Sequence, residues 1–209
     1  MAKTRKTKYG FGRKKEINMN FKFIRAVMLN QRAGNKADIV LQSLKIREGE
    51  VIADIGCGGG FFSFEFLNKV GEGGKVFAVD IDEQMLQYIN QKAGKEGRRN
   101  LITVLAEEGA LFLPESSCDL FFLRNVFHHL PEPGKYFRQL KKSLKPEGRI
   151  AVIDYQNKKG CGFIHLFGHR LVLEEEICNI MIEAGFRLIE TFNFLPGQSF
   201  NIFALDVKM

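Results

Sequence analysis

The sequence predicts an α/β protein built on a doubly wound, mostly parallel sheet. Three observations predict it. Val51-Ile-Ala-Asp-Ile55 is a short, mostly apolar run with β-branched residues, which reads as a buried parallel strand. Gly56, Gly58, Gly59 and Gly60 follow at once, and a periodic segment from Phe61 to Val70 comes next; strand, glycine turn and helix in that order make the nucleotide-binding corner of such a sheet. Downstream, strand-like runs and helical patterns keep alternating, and 209 residues suit one domain with a sizeable core.

The turn itself narrows the ligand. A Walker loop needs a Lys-Ser/Thr pair after its last glycine, and Phe61-Phe62 stands there instead. A dinucleotide fingerprint needs its third glycine at position 61, where Phe61 is the wrong residue for close helix–strand packing. The spacing is Gly56-x-Gly58-x-Gly60, preceded by Asp54. A carboxylate two residues before the first glycine repels a pyrophosphate and suits a ligand carrying positive charge. These residues resemble motif I of the class I S-adenosylmethionine-dependent methyltransferases, Asp/Glu-x-Gly-x-Gly-x-Gly; that cofactor has a sulfonium, an ammonium and no phosphate. The resemblance implies that Asp54, Gly56, Cys57 and Gly58 bind S-adenosylmethionine. On this motif alone, a tight strand-to-helix turn in another α/β protein is the alternative.

Ahead of the turn, residues 16–33 read as a helix with Ile17, Phe21, Ile24, Val27 and Met28 near one face. Gly34 ends it, and Asn35 caps a second helix through Leu44. The resemblance makes residues 9–32 a lid over the ligand cleft; a helix packed on the side of the sheet fits the same pattern. After the turn, Lys75 to Asp80 is the second strand and ends in an acid, which can accept hydrogen bonds from both hydroxyls of a ribose. Asp80 matches the family's acid at this place, and Ile81 then lies beside the adenine. Asp82 caps the following helix, Glu83 to Lys95. Leu101 to Leu105 is the third strand. The resemblance puts Ala106, Glu107 and Glu108 at the adenine, with the Glu107 carboxylate accepting from the amino group and the Glu108 backbone reaching a ring nitrogen; a solvated loop acid is the other reading of Glu107.

Leu113-Pro-Glu-Ser-Ser-Cys-Asp119 runs into the fourth strand, Asp119 to Arg124, and resembles the entry to the family's motif IV. The backbone at Leu123 and Arg124 then faces the methionine ammonium. Asn125-Val-Phe-His-His-Leu130 resembles the small-molecule branch, especially its ubiquinone/menaquinone C-methyltransferase-like (type 11) members. The Asn/Asp-Pro-Pro-Tyr motif of amino-directed nucleic-acid methyltransferases is absent. Pro131 to Leu144 reads as a helix, and Leu144-Lys-Pro-Glu-Gly-Arg-Ile150 resembles the family's turn into the fifth strand, Arg149 to Asp154. Tyr155 to Arg170 is a Gly- and aromatic-rich insert placed to build an acceptor pocket, because ligands bind outside the carboxyl ends of parallel strands. Leu173 to Ala184 is a helix closed by Gly185, and Phe186 to Phe194 and Phe200 to Val207 are strands flanking Leu195-Pro-Gly-Gln198. This hairpin resembles the family's last two strands. The resemblance covers about residues 50–207 and implies a three-layer α-β-α Rossmann-like methyltransferase fold, with a seven-stranded, mostly parallel sheet whose last strand is antiparallel. The expected organisation is a basic flexible tail at 1–15, N-terminal lid helices at 16–48 and the S-adenosylmethionine-binding domain at 49–209.

Methyl transfer from a sulfonium needs collinear alignment and exclusion of water. A base is needed only if the acceptor must lose a proton. His128 and His129 are the candidates for that base, and strand alternation favours one of them facing the pocket. Histidines packed under the following helix are the alternative. His169 and Arg170 are expected in the acceptor loop, where Arg170 binds an anionic substrate or forms a surface salt bridge. No metal site is expected: His165 and His169 lie four apart, but Gly168 separates them and no partnering acid is present. With 20 Phe and no Trp, most phenylalanines must be core, and Phe11, Phe61, Phe127 and Phe163 are candidates to line the cleft.

Composition sets the remaining bounds. No apolar run is long enough to span a bilayer, and no apolar stretch follows the basic N-terminus as in a secretory signal. Cys57, Cys118, Cys161 and Cys178 are scattered without a Cys-x-x-Cys pair, which points to a reducing cytoplasm. The net charge is +7, and seven of the 31 basic residues lie in residues 1–15, leaving 24 to balance the 24 acids. The expected function is methyl transfer from S-adenosylmethionine to a small-molecule acceptor in the cytoplasm. An RNA acceptor gripped by the basic tail and a non-catalytic S-adenosylmethionine-binding protein are the alternatives. The oligomeric state is left open.

Overall fold

The structure is a computed structural model and describes residues 24–31, 34, 36–107, 109–156 and 172–206. The basic tail, and with it the residues on which an RNA acceptor rests, lies outside the described residues. So do Phe11, Asn35, Glu108, Cys161, Phe163, His165, His169 and Arg170.

Two helices precede the sheet: α1 over residues 24–31 and α2 over Ala37–Ser43. There follow β1 (Val51–Ile55), α3 (Phe61–Val70), β2 (Lys75–Asp80), α4 (Glu83–Lys95), β3 (Leu101–Leu105), β4 (Cys118–Arg124), α5 (Pro133–Leu140), β5 (Leu144–Tyr155), α6 (Glu174–Glu183), β6 (Phe186–Phe192) and β7 (Gln198–Leu205). The seven strands lie in the order β3-β2-β1-β4-β5-β7-β6. Strands β1 to β5 pair in parallel, and β7 runs antiparallel to both β5 and β6. The chain leaves β1 in one direction and returns to β4 on its other side, so the sheet's switch point, where its ligand crevice opens, lies between these strands.

Strand alternation sends successive residues to opposite faces, and each face has its own helices. Ile52, Val76, Ala78, Leu120, Phe122, Ala151 and Ile153 meet α2, α3 and α4. Ala53, Phe77, Val79, Phe121, Leu123, Ile150 and Val152 meet α5 and α6. The expected three-layer architecture is thus present. Phenylalanine fills the first layer: Phe122 of β4 has the rings of Phe62 and Phe66 from α3 at 4.7 and 5.1 Å. Tilted and edge contacts of this kind add to the area the rings bury. At the other end of the strands, Arg149 donates to both carboxylate oxygens of buried Glu50 and to the Leu44 carbonyl. That fork fastens the end of α2 to β5.

Local differences from the sequence reading have local causes. Helix α2 starts after Lys36, which is in the left-handed region at φ 56 and makes no side-chain cap. The predicted helix over Pro131–Leu144 is α-helical only across Pro133–Leu140 and tightens into a 3-10 turn at Lys141–Ser143. The turn expected at 145–148 sits inside β5. Cys118 pairs with Leu144 and Leu120 with Arg149, so β5 carries its extra residues as a bulge. Asp82 caps α4 as expected, accepting from the Gln84 N–H at 2.9 Å.

Candidate functional site

The glycine turn begins where β1 runs out. Gly56, Gly58 and Gly60 all have positive φ (69, 52 and 79), a region that costs any residue with a Cβ. The amides of Gly56 and Cys57 both donate to the Val79 carbonyl of β2, which pins the turn across the strand ends. A Cβ on Gly56 would drive into Val126 Cγ2. Gly56 is exposed at the strand end, while Cys57 is buried and burial pushes its thiol well above the ordinary range.

Asp80 closes β2 beside this turn and is half-buried. Its Oδ2 accepts from the Gly58 N–H at 2.8 Å and its Oδ1 from the Asp82 N–H at 2.9 Å. Two amides therefore orient an acid at the mouth of the crevice. Ile81 is next, 66% exposed, a bare apolar surface at the strand end. Ala106 is half-buried beyond β3, and Glu107 is exposed and bridges to Ala110. Asp54 is placed differently: it is buried beneath the turn and accepts a hydrogen bond from Ser63 Oγ of α3. Desolvation, with a contribution from the nearby Asp80 charge, raises its pKa to about 7. Buried there, Asp54 can reach a ligand only through its field and through the turn it supports.

These residues fit S-adenosylmethionine on donor-set chemistry. A pre-oriented carboxylate suits the paired ribose hydroxyls, an exposed isoleucine suits the face of adenine, and two carboxylates near the turn favour a cation.

Helix α1 lies against the same turn. Asn30 Oδ1 accepts from the Phe61 N–H at 3.1 Å and so caps α3 from outside its own chain segment. A Cβ on Gly59 would meet the Ala26 carbonyl, and one on Gly58 would meet Leu29 at 3.3 Å. Arg25 forms an ion pair with Asp82.

Beyond β4 the expected histidines separate. Buried Asp154, the acid near the end of β5, accepts from the His128 N–H at 3.2 Å and pairs with His128 Nδ1 at 2.7 Å. The His128 side chain is only 5% exposed, whereas His129 is exposed and has its ring 4.0 Å from that of His128. Phe127 is not a cleft residue; it is buried with its ring 5.5 Å from Phe137 of α5. Phe61 is partly buried against the first core layer. Leu123 is fully buried within its strand, and Arg124 is half-buried with its guanidinium 5.5 Å from the Phe62 ring.

A cleft of about 510 Å³ opens here, between α1 and the carboxyl ends of β4 and β5, with Arg124, Asn125, Tyr155 and Gln198 in its wall. The sequence reading passed over Asn125, Tyr155, Gln198 and the Asp154 partner of His128. A second acid near a strand's carboxyl end, as Asp80 is for β2, was the signal available for Asp154. Nothing local marks Gln198, whose partner Asn125 is 73 residues away.

Among the described residues no group of three or more His, Cys, Asp or Glu could hold a metal ion. Nor is any described helix long and apolar enough to cross a membrane.

Comparison with known proteins agrees with this geometry. The family model described as a methyltransferase domain matches residues 46–186. A crystal structure of a SAM-dependent methyltransferase from Aquifex aeolicus is similar at 30% identity and a TM-score of 0.70, covering 81% of this chain and 89% of that one. A ubiquinone/menaquinone biosynthesis C-methyltransferase UbiE from Escherichia fergusonii is 32% identical over 116 residues, 53% of this chain and 44% of the relative. An arsenite methyltransferase from Halobacterium salinarum is 30% identical over 106 residues, 51% of this chain and 27% of the relative. The chain's matches therefore span less than half the length of these curated relatives.

Proposed function

The chain belongs to the methyltransferase-domain family, as an S-adenosylmethionine-dependent enzyme, and we propose that its acceptor is a small molecule. The observation that carries the proposal is the oriented Asp80 beside the glycine turn at the sheet's switch point, in a molecule that also has a cleft of small-molecule size at the carboxyl ends of β4 and β5. When bound, S-adenosylmethionine supplies a methyl group already activated by the sulfonium.

The chain's own residues then have three tasks. Asp80 holds the ribose, Ile81 and Ala106 flank the adenine, and Glu107 reaches its amino edge. The Gly56–Gly58 turn and the strand end at Leu123 and Arg124 position the methionine part, over a field set by Asp54. Helix α1, within the expected lid region, covers the turn and excludes water. His128 serves as acceptor-side base when a proton must leave. Asp154 is its positioning residue: bonded to Nδ1, it turns Nε2 away from the core carboxylate. The relatives' printed names, a quinone-pathway C-methyltransferase and an arsenite methyltransferase, are in line with a small acceptor.

Calorimetric titration tests the cofactor half. Wild-type protein should bind S-adenosylhomocysteine with micromolar affinity and should not bind NAD. Asp80→Asn should weaken the first about ten- to a hundredfold, the worth of charge-assisted hydrogen bonds to two hydroxyls. An unchanged affinity in that variant would sink the ribose assignment.

A further inference from the structure

The wall of the 510 Å³ cleft is a built one. Arg124 Nη2 donates to Gln198 Oε1 at 3.2 Å, Gln198 Nε2 donates to Asn125 Oδ1, and Asn125 Nδ2 donates to Tyr155 Oη at 3.4 Å. One hydrogen-bonded chain thus ties together the ends of β4, β5 and β7. Asn125 holds its place in it through a left-handed conformation at φ 60. Gln31 and Met28 of α1 also line the cleft. Among the described residues lining the space, Arg124 is the one that carries a formal charge.

Burial pulls the pKa of that guanidinium down from its ordinary value, so the charged form gains when an anion arrives. Its planar fork of donors matches the two oxygens of a carboxylate. Tyr155 Oη accepts from Asn125, which leaves the phenolic hydrogen to donate to a ligand oxygen.

We propose that this cleft is the acceptor subsite and that it takes an acceptor bearing a carboxylate, gripped by Arg124 and Tyr155. The proposal rests on the reading of the chain as a small-molecule methyltransferase, and it adds the acceptor's charge. It also moves the anion-binding role from the expected Arg170, outside the described residues, to Arg124. The 124–125–155–198 chain fixes the carboxylate end, which leaves the rest of the acceptor to point along the cleft.

The test uses the full chain, with and without saturating S-adenosylhomocysteine, titrated with benzoate and with benzamide, its neutral near-isostere. Benzoate should bind, and benzamide should bind at least about tenfold more weakly. Arg124→Gln should weaken benzoate by about tenfold or more. Tyr155→Phe should weaken benzoate by a smaller factor, and it decides the matter together with the benzoate–benzamide pair if Arg124→Gln does not fold. Equal binding of the two probes, or no benzoate binding up to about 10 mM, overturns the proposal. So does a loss confined to S-adenosylhomocysteine in Arg124→Gln, which would make the cofactor's own carboxylate the anion. Failure of wild-type protein to bind S-adenosylhomocysteine, with the benzoate preference intact, would instead strike the cofactor reading and spare the subsite.

Discussion

Asp54→Asn should stabilise the free protein by an amount that grows with pH. Asp54 is buried, and its pKa is raised from 3.8 to about 7, chiefly by desolvation. A raised folded pKa means that the native state keeps a proton that the unfolded chain releases. The group's contribution to stability is therefore intact below the unfolded value and is lost as pH climbs through the folded one. The whole loss is about 4 kcal/mol for a shift of this size. About 2–3 kcal/mol of it falls between about pH 5 and about pH 8. Asparagine keeps the shape and can still bond Ser63, but it has no proton to lose. Urea unfolding of both proteins at the two pH values reads the effect directly. The gap in stability between variant and wild type should widen by that 2–3 kcal/mol on going from acid to alkali. A gap that stays constant would refute the argument that an ionised carboxylate is held under the turn against its desolvation cost. The same variant should bind S-adenosylmethionine more weakly at alkaline pH, because the carboxylate's field is then missing.

Four further outcomes follow from other parts of the molecule. The ratio of S-adenosylmethionine to S-adenosylhomocysteine affinity in wild type should rise as pH passes about 7, since only the first carries the sulfonium that favours ionised Asp54; competition titrations across that range would show it. Arg149→Met leaves the buried Glu50 carboxylate to the largely exposed Arg47 and should cost up to about 3–5 kcal/mol in urea unfolding, with the double variant Glu50→Gln/Arg149→Met recovering part of the loss. Gly56→Ala forces a Cβ into the left-handed region and into Val126, and should lose at least about 1–3 kcal/mol together with S-adenosylhomocysteine binding. Asp154→Asn should lower methyl-transfer kcat more than KM once a carboxylate acceptor is in hand, and it should change the pH profile of kcat, because His128 would lose the partner that fixes its tautomer.

The cofactor side of the site was legible because it is local. Val51 to Val70 is one contiguous strand, turn and helix, and Phe61-Phe62 after the glycines at 56, 58 and 60 argues against the Walker and dinucleotide loops. Asp82 caps α4 as its place before a helix suggests, and Asp80 ends β2 where the sequence puts it. The acceptor side is not local. Arg124, Asn125, Tyr155 and Gln198 come from three strands, and their bonding is settled by the antiparallel register that sets Tyr155 opposite Gln198. No spacing in the sequence encodes that register. Phe127 misled for a related reason: its neighbours His128 and Asn125 face polar partners, but the 3-10 turn rotates the ring onto α5. The bulge in β5 was hidden because Lys145-Pro-Glu-Gly148 has turn composition, and a bulge uses the same residues.

Helix α1 serves two rooms with one wall. Ala26, Leu29 and Asn30 close on the glycine turn, while Met28 and Gln31 line the cleft proposed for the acceptor. With two turns of helix and side chains committed on both sides, it can neither slide nor rotate for one ligand without moving against the other. Selection for a new ligand at Met28 or Gln31 would then be felt in how long the cofactor stays, and the trade would be smaller for changes at Gln198, which does not touch the glycine turn. A family that diversifies its acceptors on a constant cofactor would, on this architecture, do so from the hairpin side.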